Sequence, residues 1–154
     1  MQTQFTFRAI FPLLLFLMII LNSCSFNSSV SNRKSDEADG EKVTDQFFKL
    51  IKDKKYDETY KLFSNKFWTV TTKDKMAAIF QMTQNKLGDL QSSKIYKWET
   101  KVVNGTNPSA AYAFAYKNKY SKYDAIETLR LTREGNGSIK IFAYSINSKG
   151  FFKL

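Results

Sequence analysis

The chain has 154 residues, with 24 basic side chains, 14 acidic ones and no histidine, giving a formal charge of +10. Without histidine there is no Ser-His-Asp or Cys-His mechanism, and the commonest transition-metal ligand is missing. The one cysteine, Cys24, leaves no pair for a disulfide within the chain, so any exported core must hold without one.

Met1 to Arg8 carries one positive charge and no acid, and Ala9 to Leu21 is an unbroken apolar run. This is the layout of a signal peptide. Thirteen helical residues span roughly 20 Å, short of a ~30 Å hydrocarbon core, and Pro12 weakens a membrane span further. The run ends in Leu21-Asn22-Ser23-Cys24, which resembles the lipobox of bacterial lipoproteins. That resemblance implies cleavage after Ser23, a diacylglyceryl group on the Cys24 thiol and an acylated new amino terminus. It places the domain outside the cytoplasm, on the cell membrane or the outer membrane. Each buried methylene adds about 0.8 kcal/mol, and two or more chains give stable anchoring.

Loss of the leader leaves 23 basic and 14 acidic side chains, a charge of +9. Export and the absence of any nucleic-acid module argue against nucleic acid as the partner. The lysines look dispersed, which suits a solvated surface, or attraction to anionic lipid or cell-wall polymer. An envelope protein and a small apolar ligand are the other candidate partners, and oligomeric state is left open.

Residues 24–40 follow, rich in Ser, Asn, Asp, Glu, Lys and Arg, with Phe26, Val30 and Ala38 as the apolar residues after Cys24. Such a stretch buries too little surface to offset its ordering entropy and is expected to be a flexible spacer. Its run Asp36-Glu37-Ala38-Asp39-Gly40 lacks the later acids of a calcium loop, so it too reads as linker. Residues 41–154 form one expected domain, long enough for one core.

Apolar spacing predicts three helices at the start of that domain. The first covers Glu41 to Asp53, with Val43, Phe47, Leu50 and Ile51 on one stripe. The second is short, opening near Asp57 and placing Tyr60, Phe63 and Phe67 toward a core. The third begins after Thr72, an N-cap residue, and ends at Gly88.

Beyond Leu90 the period changes to two, and four strands are expected: Lys94 to Val103, Ala111 to Tyr116, Ala125 to Arg133 and Ile139 to Ile146. Asn104 to Pro108 and Gly135-Asn136-Gly137 are turn signals, and Lys117 to Lys122 reads as a polar turn. In the second strand Tyr112, Phe114 and Tyr116 share one face, and Ala111, Ala113 and Ala115 the other, where a helix could approach. The reading is an α+β domain, three N-terminal helices packed on a curved four-stranded antiparallel sheet.

This order resembles the NTF2-like, or cystatin-like, α+β cone. Leu87-Gly88-Asp89-Leu90, Glu127-Thr128-Leu129-Arg130-Leu131 and Gly137-Ser138-Ile139-Lys140-Ile141-Phe142-Ala143-Tyr144 are similar to segments of an uncharacterised family of small exported bacterial domains with that cone, over roughly Glu41 to Ser148. The family supplies no reaction. The ketosteroid isomerases share the cone, and use a carboxylate base with hydrogen-bond donors. By that likeness Glu127 or Asp89 would be the base, with Tyr112 or Tyr116 as donor. Glu127 stands on an apolar face with Ala125, Leu129 and Leu131, so it is paired with Lys or Arg, placed at the strand's wet end, or functional. Trp98, Tyr112, Tyr116 and Glu127 are the candidate pocket residues. No catalytic residue, metal ligand or cofactor is assigned, and a membrane-tethered, non-catalytic binding or accessory module is the expectation.

Overall fold

The computed structural model describes residues 27–153. The expected leader, the expected cleavage position after Ser23 and the expected lipidation residue Cys24 lie outside them. Strand β1 (Asn27–Ser31) is followed by helix α1 (Lys34–Lys52), two short helices α2 (Tyr56–Thr59) and α3 (Asn65–Trp68), and helix α4 (Lys73–Leu87). Strands β2 (Leu90–Gly105), β3 (Ser109–Tyr120), β4 (Ala125–Arg133) and β5 (Ile139–Asn147) complete one antiparallel sheet in chain order. The domain is α+β, with its helices packed on one face of an open five-stranded sheet that is neither closed nor strongly curled.

The fifth strand corrects the expected four, and it lies in the stretch expected to be a spacer. Only Val30 in Asn-Ser-Ser-Val-Ser favours a strand by propensity. Its place comes from the backbone of β2, with Asn27 opposite Gly105 and Ser31 opposite Lys101. Asn32 then turns the chain with φ +54°, a conformation Asn tolerates. Its amide nitrogen donates to the Thr100 carbonyl at 3.0 Å, and its Oδ1 accepts from the Thr100 amide at 2.9 Å.

Helix α1 also starts earlier than Glu41. Asp36, Gly40 and Thr44 are buried on one line at four-residue spacing, continuous with Phe47, Phe48 and Ile51. Arg33 holds Asp36 through two bonds, 3.1 Å from Nε and 2.7 Å from Nη2. Gly40 sits mid-helix, where glycine costs about 1 kcal/mol relative to Ala. The sheet explains it, since a Cβ there would lie 2.6 Å from Phe114 Cε2. The small residue lets α1 come down onto the aromatic row of β3.

Two expected helix ends hold. Thr72 Oγ1 accepts from the Lys75 amide at 3.2 Å, and Gly88 closes α4 with φ +83° and ψ −154°, a backbone conformation that favours glycine. Asp57 lies inside α2, and the side-chain cap in this region is Ser64, which accepts from the Phe67 amide.

In β3 the alternation runs on past Tyr116. Lys117 and Lys119 are exposed, while Asn118 and Tyr120 are buried, so the expected polar turn shortens to the residues between Tyr120 and Ala125. The helices cover the aromatic face, where Phe48 meets Tyr116 with ring centroids 4.6 Å apart and Phe47 meets Tyr144 at 5.5 Å. Among the described residues no helix packs on the alanine face, contrary to the approach expected there. Aromatic rings bury more apolar area than methyl groups, and that decided the side. No described helix is long and apolar enough to cross a membrane.

Candidate functional site

Glu127 is on the inner face of β4, 1% exposed, with Ala125, Leu129 and Leu131 beside it on the same face. Its partners are neither lysine nor arginine. Oε1 accepts from Asn118 Nδ2 at 2.7 Å and from the Tyr120 hydroxyl at 2.6 Å; Oε2 accepts from the Tyr144 hydroxyl at 2.7 Å. The inward positions of three adjacent strands therefore converge on one carboxyl, Asn118 and Tyr120 from β3 and Tyr144 from β5.

Burial pushes the Glu127 carboxyl above its usual range, and the three donors, Tyr120 foremost, pull against that rise. Burial and the neighbouring Glu127 charge push the Tyr120 and Tyr144 hydroxyls well above their ordinary range, so both stay protonated as donors. Asn118 Oδ1 has no partner among the described residues. A half-turn of the amide would present that acceptor to a protonated carboxyl.

The other candidates lie apart from this cluster. Tyr116 is Glu127's cross-strand neighbour, yet its hydroxyl goes to Thr44 Oγ1, 2.5 Å away on α1. The Thr44 proton is given to the Glu41 carbonyl, so Tyr116 is the donor. The Tyr112 hydroxyl accepts from Arg133 at 2.9 Å, and Arg133 also reaches Asp39 at 3.4 Å. Trp98 is half-buried, with the Lys34 ammonium 4.8 Å from its ring centroid. Asp89 is exposed, held by Lys54 at 2.7 Å and Gln84 at 2.6 Å, and those partners hold its carboxyl below the usual range.

Tyr120 and Tyr144 also line a cleft between the helices and the sheet, together with Tyr56, Thr83, Gln84 and Asp89. It has room for about 10 Å³, the space of roughly one water molecule. Among the described residues no group of three or more acidic or sulfur side chains is placed to hold a metal ion.

Sequence reasoning identified Glu127 and missed all three of its partners. Tyr120 and Asn118 fall in the segment that reads as a turn, and Tyr144 is one aromatic residue in a predicted strand. The signal that could have found two of them is the unbroken two-residue period from Tyr112 to Tyr120.

Residues 43–144 match the family model described as a protein of unknown function, DUF4019, about two-thirds of the chain. The chain belongs to the DUF4019 family. The match opens inside α1 and closes on Tyr144, so it takes in the whole Glu127 cluster and leaves β1 outside. No curated protein matches the chain.

Proposed function

We propose that this DUF4019 protein is a lipid-tethered, non-catalytic binding or accessory module of the bacterial cell envelope. It is made as a precursor, exported, and held on the membrane by acyl chains on Cys24. The tether rests on the Leu21-Asn22-Ser23-Cys24 sequence behind an apolar run too short to span.

The observation that carries the non-catalytic part is the sealing of Glu127. Every donor that reaches this acid belongs to the domain's own sheet, and the acid is 1% exposed. A general base has to come within hydrogen-bond reach of the proton it removes. The cleft that Tyr120 and Tyr144 line holds about 10 Å³, where small-molecule sites have roughly 300–1,000 Å³, and the open hollow of about 550 Å³ that Asn118 borders is not lined by Glu127. A reaction of the ketosteroid isomerase kind would also use Tyr112 or Tyr116 beside the acid, and their hydroxyls are engaged by Arg133 and Thr44. The order of helices over an antiparallel sheet supports kinship with the NTF2-like cone, here with aromatic rings occupying the space beneath the helices. Binding then falls to the outer surface.

Metabolic labelling with a fatty-acid analogue in the native host tests the tether. Wild type is expected to take up label and enter the detergent phase, and Cys24→Ala to do neither. Equal labelling of the two would overturn it.

A further inference from the structure

The +9 charge of the mature chain is concentrated in the sheet. From Leu90 onward there are 11 basic and 4 acidic side chains, against 12 and 10 between Arg33 and Asp89. The pleat sorts them further. Lys97 and Lys101 in β2 pair with Ala115 and Ala111 of β3, Arg130 in β4 pairs with Ala113, and Lys94 pairs with Lys117. With Lys119, these six exposed cations stand on the outer face of the sheet, and the one acid among them is Glu99. The ion pairs of the described residues involve none of the six. They join residues of the helical layer and its borders, including Asp39 to Arg133 and Asp89 to Lys54.

The ground between these cations is low. Ala111, Ala113 and Ala115 run down the middle of the face, and a shallow groove of about 250 Å³ crosses it between Lys101, Arg130 and Phe142. Tyr96, 50% exposed, lies beneath the Lys117 ammonium at 5.1 Å. Cations spread over three strands, with apolar groups set among them, match an extended plane of negative charge better than one compact anion.

The distance to the bilayer bears on the same point. Asn27 is already paired to Gly105, so only Ser25 and Phe26 separate Cys24 from the sheet, a reach of about 10 Å over three Cα steps. That is about one Debye length at ordinary ionic strength. A domain tied by an edge strand on so short a lead has to lay one of its sides on the headgroups.

We infer that the outer face of the sheet, centred on Lys97, Lys101, Lys117 and Arg130, is a docking surface for the anionic phospholipid headgroups of the membrane that carries the anchor. This rests on the tethering reading above. The near-neutral helical side, with its acids, then faces away from the bilayer and is left free for other contacts.

Lysine acetylation footprinting of the full mature protein, purified with its lipid, tests the inference. The protein is placed in vesicles of phosphatidylcholine alone or of phosphatidylcholine with phosphatidylglycerol. Lys97, Lys101 and Lys117 should react at least about threefold more slowly on the anionic vesicles, and recover at about 0.5 M salt. Lys52, Lys55 and Lys73 on the helical side should not change. The triple variant Lys97→Glu, Lys101→Glu, Arg130→Glu should lose the protection while keeping the wild-type circular dichroism spectrum and melting point. Equal reactivity on the two vesicles, or protection of the helical lysines instead, would overturn the docking surface. So would protection that appears only with a soluble polyanion such as polyphosphate, which would point to a free polymer. The intact mass separates the two readings, since absence of acyl mass on Cys24 sinks the tether, whereas acylated protein with unprotected sheet lysines sinks docking alone.

Discussion

The two faces of the sheet are built from the same strands by alternate residues, and they behave as different materials. Facing the helices, Tyr112, Phe114, Tyr116 and Tyr120 are all within a few per cent of full burial, and every inward polar group of that row has a specified partner or an orphaned atom. Facing outward, Ala111, Ala113 and Ala115 alternate with them, bordered by charges that pair with nothing in the described chain. Ala113 and Phe114 are one residue apart, yet a change at one disturbs a closed packing and a change at the other meets solvent. Stability is therefore expected to reside on one side and recognition on the other.

The sharpest way to break that contrast is Phe114→Ala. Phe114 is fully buried against Gly40, and its truncation should cost about 3–5 kcal/mol. Urea denaturation measures it, and a cost below about 1 kcal/mol would mean that α1 does not sit where the close approach at Gly40 places it.

Glu127→Gln should come next, at about 1–3 kcal/mol, because the amide keeps the shape but cannot accept from all three donors. The pH dependence carries a sign as well. With its folded-state value raised above the ordinary one of 4.5, Glu127 binds more protons in the folded chain than in the unfolded one through the window above that value. Wild-type stability is therefore highest, as far as this group is concerned, below about pH 4.5, and declines as pH rises toward the folded-state value. The Gln variant should lack this component, so its deficit should shrink with rising pH in denaturation curves taken at several pH values. A deficit that grows with pH would show that the donors outweigh desolvation.

Tyr116→Phe removes one buried hydrogen bond and leaves Thr44 its bond to Glu41, so about 0.5–1.5 kcal/mol is expected from the same denaturation curves. Smallest of all should be Arg130→Ala on the outer face, within about 0.5 kcal/mol of wild type. A larger loss there would mean that the outer face takes part in holding the fold.

How far the sequence could be read follows the same division. Periodicity marks whichever residues bury apolar area, and it located α4 with both its ends, the aromatic row of β3, and Glu127 on the inner face. It failed where burial is done by small or polar groups. Asp36, Gly40 and Thr44 form a buried helical line that hydropathy does not register, so apolar spacing starts α1 only at Glu41. Asn118 is inward and polar, which made the end of β3 look like a turn and hid two of the three groups that hold Glu127. β1 has one half-buried residue, Val30, and owes its place to backbone pairing and to Asn32. The basic face was missed for another reason. Lys97, Lys101, Lys117 and Arg130 lie far apart along the chain, and the registers of three strands are needed to gather them.

Strand β1 also governs timing and reach. Asn27 meets Gly105 across 78 positions of sequence, so it closes the longest loop in the sheet and can dock only once β2 is in place. Until then the chain from Cys24 to the start of α1 at Lys34 is a lead of ten residues, able to extend about 35 Å. Docking takes up all but the first three. On the proposed tether, completion of the fold would act as a winch, drawing the domain from the far end of a loose line to the surface that holds Cys24.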